Sequence, residues 1–297
     1  MLVLGGSGLV GSRVVECWAD EFDVGAPTHA ELDVLDDAAL RNALQDSAAQ
    51  VVVNFAAFAD VDGAETERGD ERGRVYALNV RYPSSLATAC AALGKHLVHI
   101  STDYAFDGTR SDRPYREADP PGPLSWYART KVLGEQGVRA HLPGACVARI
   151  EMPFSARPHA KRDLARLSAE RLAAGQPMLG VTDQRITPVF LDDAAHALAH
   201  LARARTRGLV HVASTDSTTP YEFAHAIAAR LHHDPGLVQS VRFDAFSTTR
   251  PARRPQHSWL DVSLFERLFG RGILRSQAEQ LDAWAEQLLA SPARNLR

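Results

Sequence analysis

The stretch Leu2-Val3-Leu4-Gly5-Gly6-Ser7-Gly8-Leu9-Val10-Gly11 decides how this chain is read. Three apolar residues run into glycines at 5, 8 and 11, and an amphipathic stretch, Val10 to Trp18, follows. A glycine pattern carries chemistry when it sits between a strand and a helix, as here. The first glycine permits a tight turn, the second lets backbone approach a phosphate, and the third lets helix pack closely on strand. The helix start then offers unpaired N–H groups and the positive end of its dipole to a pyrophosphate. Dinucleotide binding is therefore expected, against the plainer reading of a structural glycine turn.

Outward from that loop, Val51-Val52-Val53-Asn54-Phe55, Leu97-Val98-His99-Ile100 and Cys146-Val147-Ala148 are short runs dominated by apolar residues, without alternation. Such runs suit strands covered on both faces. Helical patterns lie between and after them, at Asp36 to Leu44, Val80 to Leu93 and Tyr127 to Ala140. The rhythm predicts an α/β chain, a Rossmann-type doubly wound parallel sheet with right-handed crossovers. After about Ile150 it breaks. A polar segment, Ser155 to Asp163, leads into a helix, Asp163 to Ala174. Val189-Phe190-Leu191 and Asp192 to Ala204 read as one more strand and helix of the sheet, with Asp192 or Asp193 as the cap. Tyr221 to Leu231, Ser263 to Phe269 and Ser276 to Leu289 read as further helices. The expected division is a dinucleotide-binding domain of residues 1–150 plus about 187–214, and a smaller C-terminal substrate lobe of 151–186 plus 215–297.

Bulk properties narrow the function. With 297 residues, 45% apolar and 23% charged, the chain has the makeup of a globular protein of two modest lobes. Its net charge of −3 gives no basic surface for nucleic acid or an anionic membrane. No apolar run approaches the roughly 18 to 20 residues of a membrane span. Arg13 and Glu16 interrupt the first apolar stretch, which lacks a basic leader, so it reads as folded structure rather than a signal. Cys17, Cys90 and Cys146 have no metal spacing and read as buried thiols of a reducing compartment, the cytoplasm. Asp192, His196 and His200 share one helix face but read as ordinary helix residues, and no metal is expected.

The catalytic signal is Tyr127 with Lys131 four residues later, one helical turn away on the same face. Six tyrosines and three lysines in 297 residues would give such a pair about 0.06 times by chance. A nearby ammonium is expected to lower the phenol pKa and to hold ribose hydroxyls of a nicotinamide cofactor. Thr102 follows the strand at its C-terminal end, where ligands of open parallel sheets bind, and its hydroxyl can donate to a carbonyl oxygen. Ala56 and Ala57 end another strand at the same edge and leave room for the cofactor. Near Phe22-Asp23-Val24, expected as the second strand, Thr28 and His29 suit a 2′-phosphate, so NADPH is favoured with NADH allowed. Asp33, beside Val34, suits the adenine amino group.

These residues together resemble the extended short-chain dehydrogenases, and within them the dTDP-4-dehydrorhamnose reductase family. The similar runs are Val53-Asn54-Phe55-Ala56-Ala57, Val61-Asp62-Gly63-Ala64-Glu65, Leu78-Asn79-Val80, Ser101 to Gly108, Pro123 to Lys131 with Gly134-Glu135, and Arg253-Arg254-Pro255-Gln256-His257-Ser258 with Leu260. The resemblance covers nearly the whole chain. It implies reduction of a keto group on a nucleoside diphosphate deoxysugar, with Thr102, Tyr127 and Lys131 as the catalytic residues. Cofactor contacts are implied at Gly5, Ser7, Gly8, Leu9, Val10, Gly11, Thr28, His29, Asp33, Val34, Ala56, Ala57, Asn79, Tyr127 and Lys131. Substrate contacts are implied at Asp103, Glu151, Gln184, Arg250, Arg253 and Arg254, the arginines as a diphosphate clamp. A homodimer is compatible with it.

Two segments depart from that family. Its Arg-Thr-Ser-Trp stands here as Arg149-Ile150-Glu151-Met152, and its Asp-Gln-x-Gly-x-Pro-Thr as Asp183-Gln184-Arg185-Ile186-Thr187-Pro188-Val189. The second segment also resembles the regulatory subunit of methionine adenosyltransferase, so a non-catalytic NADP-binding subunit is an alternative, as is a nucleotide-sugar epimerase. A dehydratase would want an acid directly after Thr102-Asp103, where Tyr104 stands.

Overall fold

The computed structural model describes residues 1–290, so the last seven positions of the expected substrate lobe lie outside the described residues. Its strands, in chain order, are β1 (Leu2–Leu4), β2 (Val51–Asn54), β3 (His96–Thr102), β4 (Cys146–Ile150), β5 (Met178–Val181), β6 (Gly208–Val212) and β7 (Val238–Val241). Five of them form one parallel sheet in the order β1-β2-β3-β4-β6. Val52, Val53, Leu97, Val98 and Val147 are all fully buried, which is why their runs lack alternation.

The expected second strand is cut to one isolated bridge. Gly25 alone bridges Leu2, on the free side of β1, through Val3 N–H to the Gly25 carbonyl at 2.8 Å and Gly25 N–H to the Met1 carbonyl at 2.9 Å. The chain thus leaves β1 to one side and returns to the other. The crevice beyond the carboxyl ends of β1 and β2 is the switch point, where open α/β sheets bind ligands.

Val189-Phe190-Leu191 is not a strand of this sheet. Phe190 makes one isolated bridge, to Phe154, and Leu191 already opens the helix Leu191–Arg203. The sheet's next strand is β6, after that helix. Asp192 and Asp193 do not cap it either. They sit in its first turn, where Asp192 takes two hydrogen bonds from Arg13 and Asp193 pairs with Arg275. Small residues, Ala194, Ala195, Ala197 and Ala202, let this helix join the sheet's core, and the Trp18 indole N–H donates to the Ala195 carbonyl at 2.9 Å.

A second core gathers Phe154, Phe190, Phe223 and Trp284. Beside it lies a small parallel sheet, β5 with β7, that the sequence pattern did not announce. Each strand has four residues, with a glycine at 180 in one and a polar pair in the other. Gly180 has a structural reason, because a Cβ there would lie 2.6 Å from the Tyr221 Cα. Leu260, Val262, Phe265 and Leu274, from the stretch expected in the smaller lobe, pack instead into the core of the large sheet.

Helix ends follow local chemistry. Asp36 caps Asp37–Asp46, Asp163 caps Leu164–Ala173, and Thr219 with Glu222 forms a reciprocal capping box on Pro220–Arg230. Each such cap contributes about 1 kcal/mol. Among the described residues no helix is long and apolar enough to cross a membrane.

Candidate active site

The glycine loop is held by contacts that leave no room for side chains. A Cβ on Gly5, whose φ is +78°, would lie 2.5 Å from the Ala56 nitrogen, and one on Gly11 would lie 2.3 Å from the Gly5 carbonyl oxygen. Gly8 is different, with only the Gly5 oxygen at 3.5 Å nearby, so its face is open toward the cavity. The helix Leu9–Trp18 starts directly after it, without a side-chain cap on its N–H groups. This cradle fits a pyrophosphate.

Across the switch point, Asn54 fixes the partner loop. Its side-chain oxygen accepts from the Tyr82 hydroxyl at 2.8 Å and from Ala56 N–H at 3.0 Å, and its amide nitrogen lies 3.0 Å from His99 Nδ1. A fully buried polar network of this kind sets one loop conformation.

Two cavities meet at Gly8, Phe55 and Ala57. The first, of about 430 Å³, is lined by Gly5, Ser7, His29, Asp33, Val34 and Ala56, and also by Pro27, Arg74 and Leu78. Thr28 is not in that lining. Its N–H and hydroxyl both donate to the Glu31 carboxylate, at 2.8 and 2.9 Å. Asn79 is likewise elsewhere. It is buried, exchanges hydrogen bonds with the backbone of Phe58 and donates to the Thr130 hydroxyl at 3.1 Å. It clasps the helix that bears Tyr127 instead of touching the cavity. That helix comes close because Gly134 has no side chain, and a Cβ there would lie 2.1 Å from the Asn79 carbonyl oxygen.

The second cavity, of about 400 Å³, brings Leu9, Val10 and Gly11 together with Thr102, Asp103, Tyr127 and Lys131. Thr102 is the last residue of β3, and Tyr127 and Lys131 lie in the first two turns of the helix Trp126–His141, capped by Ser125. Lys131 is buried and its ammonium donates to the Ile100 carbonyl at 2.7 Å. Burial pushes it down to about 8, with Glu135 acting the other way. Glu135 in turn accepts two hydrogen bonds from Arg149, at 2.9 and 2.6 Å, and one from Ser101. This buried pair ties β4 and β3 to the helix Trp126–His141.

The phenol differs from expectation. Burial pushes Tyr127 up to about 12, opposed by a hydrogen bond with Thr102 and reinforced by the neighbouring Asp103. The Tyr127 hydroxyl is therefore protonated at neutral pH, the form a proton donor needs. Its ring stands edge-on to Tyr104, centroids 6.2 Å apart.

The expected substrate residues divide. Asp103 lines the cavity, but Glu151 does not. Glu151 is fully buried, accepts from Thr187 N–H at 2.9 Å, from the Thr187 hydroxyl and from the Ser258 hydroxyl at 2.6 Å, and burial pushes it up to about 7. Gln184 donates to the Pro255 carbonyl at 3.3 Å and lines neither cavity. Among the arginines, Arg254 donates to both oxygens of Asp62 at 2.9 Å and lines a third hollow with Lys161 and Asp62, continuous with the second cavity. Arg250 stands further out, 3.9 Å from Asp62 and over the Phe246 ring, and Arg253 is exposed.

The segment after β4, where the sequence departs from the family it resembles, also lines the site. Met152 and Pro153 wall the second cavity, Met152 with a φ of +37° that side chains seldom adopt. The polar segment after Ser155 folds over the glycine loop. His159 Nε2 lies 3.2 Å from the Ser7 carbonyl, and Lys161 donates to the Ala59 carbonyl at 3.2 Å.

A glycine cradle at the switch point, with threonine, tyrosine and lysine at its inner end, defines a reductase of the extended short-chain type. The chain belongs to the family described as the RmlD substrate binding domain, whose pattern matches residues 1–289. It is 36% identical over 266 residues to the dTDP-4-dehydrorhamnose reductase of Mycobacterium tuberculosis, covering 88% of this chain and 84% of that one. It is 37% identical over 262 residues to a probable dTDP-4,6-dihydroxy-2-methyloxan-3-one 4-ketoreductase of Streptomyces antibioticus, covering 87% and 85%. The crystal structure of dTDP-4-dehydrorhamnose reductase from Bacillus anthracis in complex with NADP superposes with a TM-score of 0.85 at 25% identity, covering 95% of this chain and 97% of that one.

Proposed function

We propose that the protein reduces the 4-keto group of a deoxysugar carried on a nucleoside diphosphate, with NADPH as the reductant. The observation that carries this reading is the meeting of Gly8 and Gly11 with Thr102, Tyr127 and Lys131 around one cavity.

The glycine loop and helix Leu9–Trp18 would hold the cofactor pyrophosphate, His29 and Arg74 its 2′-phosphate, and Asp33 its adenine amino group. Bound NADPH supplies the hydride that adds to the carbonyl carbon. Thr102 donates a hydrogen bond to the ketone oxygen as negative charge develops there. Tyr127 transfers its phenolic proton to that oxygen, completing the alcohol, and regains a proton from water. Lys131 would hold the ribose hydroxyls and would place positive charge near the phenolate so formed. Arg254, already oriented by Asp62, would meet the substrate diphosphate. Met152 and Pro153 stand where the related family has a bulky aromatic, which points to a sugar other than the rhamnose precursor. The dinucleotide-binding domain then comprises 1–150, about 187–214 and the stretch from Leu260 to Leu274 that packs on the large sheet, and the rest of 151–186 and 215–297 forms the substrate lobe.

The test is NADPH consumption with a panel of nucleoside diphosphate 4-keto sugars. Turnover on at least one thymidine diphosphate keto sugar is expected. No consumption with any of them would overturn the proposal.

A further inference from the structure

Thr102 has one hydroxyl hydrogen, and besides the Tyr127 hydroxyl oxygen, with which it shares a hydrogen bond, two acceptors compete for it. The ketone oxygen of the proposed reaction is one. The other is Asp103 Oδ1, 3.1 Å from Thr102 Oγ1. An ionised Asp103 can only accept and would draw that hydrogen away from the cleft. A protonated Asp103 can donate to Thr102 instead and leave the hydrogen free.

The fold places a second carboxyl beside the first. Thr102 and Ile150 are register partners in the parallel strands β3 and β4, so the residues that follow them, Asp103 and Glu151, leave the sheet side by side. Adjacent strands lie about 4.8 Å apart. Asp103 is 3% exposed and Glu151 is 0% exposed. Neither forms an ion pair among the described residues. The other groups acting on Asp103 are Thr102, Ser258, Tyr104 and Tyr127, all uncharged in their protonated forms, while two cations of the same neighbourhood, Lys131 in the same cavity and Arg254 against Tyr104, form no ion pair with it among the described residues. Among the described residues the Glu151 carboxyl group accepts from Thr187 and Ser258, and its charge acts on Asp103. Asp103 Oδ2 is buried without a hydrogen-bond partner, an unfavourable place for half of a carboxylate.

We propose that Asp103 is a carboxylic acid at neutral pH that donates to Thr102, and that Glu151, held by Thr187 and Ser258, is the positioning residue that keeps it protonated. Two adjacent buried carboxyls do not both ionise readily, because like charges in a low dielectric repel. Burial first and Glu151 second hold the Asp103 carboxyl well above the usual carboxylate range, in agreement. The Thr102 hydrogen then points into the cavity, where the proposed function needs it. The inference rests on that function only for its catalytic consequence, since the protonation state is measured without substrate.

The experiment has two arms. Infrared spectra of the wild type at neutral pH, minus those of Asp103→Asn, should show the carbonyl stretch of a protonated carboxylic acid, and it should persist to higher pH in the wild type than in Glu151→Gln. In the second arm, Asp103→Asn, whose amide still donates, should keep turnover within about tenfold, while Asp103→Ala loses more. Glu151→Gln should move the alkaline limb of kcat to lower pH by about one to two units. Titration of the wild-type band alone serves if a variant does not fold. An Asp103 ionised at neutral pH, or a band and profile unmoved by Glu151→Gln, would overturn the proposal. A protonated Asp103 in a protein that reduces no keto sugar would leave this inference standing and remove the function.

Discussion

The Lys131 ammonium, one helical turn beyond Tyr127, donates to the Ile100 carbonyl at 2.7 Å. It is a buried cation held by backbone at the strand end that carries Thr102. Burial lowers it from 10.5 to about 8. A lysine that gives up its proton more easily when folded disfavours the fold while charged, so its penalty is relieved as pH rises from about 8 to 10.5. The stability of the wild type relative to Lys131→Met, read from urea midpoints, should therefore rise across that window. The same loss of charge should weaken cofactor binding above pH 8. A stability difference independent of pH would contradict the assignment.

NADPH should bind more tightly than NADH. His29 and Arg74 both line the first cavity, while the Glu31 carboxylate is occupied by Thr28. Arg74→Ala should narrow the preference by about tenfold, the size of one charge-assisted hydrogen bond. Fluorescence titration with both nucleotides checks this, and a wild type that prefers NADH would sink the idea.

Arg254→Ala should raise KM by about 10- to 100-fold while kcat changes little, because the lost contact is to the unreacting diphosphate. Asp62→Asn should raise KM less, by freeing the guanidinium it now holds at two points. Arg253→Ala, altering an exposed side chain away from the cavities, should leave KM unchanged. Steady-state kinetics on all three variants would place the diphosphate elsewhere if Arg254→Ala behaved like wild type.

The glycine loop tolerates no addition at position 11. Gly11→Ala would set a methyl 2.3 Å from the Gly5 carbonyl oxygen, backbone that cannot yield without moving the cradle. NADPH affinity should fall at least tenfold, with a loss of stability of about 1 to 3 kcal/mol. Calorimetric titration showing wild-type affinity would mean that the loop is looser than its contacts imply.

What was legible in the sequence was local. Gly5 to Gly11, the unbroken valines 51 to 53 and the Tyr127–Lys131 spacing each carry their meaning within a turn or a strand, and the fold keeps all three. What depends on distant partners was not. Val189-Phe190-Leu191 looks like a buried strand, yet Val189 and Leu191 pack into the core of the large sheet without pairing in it, Phe190 packs with Phe154 in the second core, and β6 takes the sheet position instead. Asn79 and Glu151 are polar residues near a site, and only tertiary packing reveals that each hydrogen-bonds protein groups inside the core. Arg74 and Lys161 reach the cavities from segments with no signature of their own.

The central claim is that Tyr127 protonates a sugar ketone in a site built for NADPH. Its most direct test compares wild type with Tyr127→Phe on a thymidine diphosphate 4-keto sugar, following NADPH consumption and NADPH affinity together. Removing one hydroxyl should leave folding and affinity intact and lower kcat by about two to four decades. Undiminished turnover in Tyr127→Phe would contradict the account, as would a wild type that binds NADPH and reduces no keto sugar.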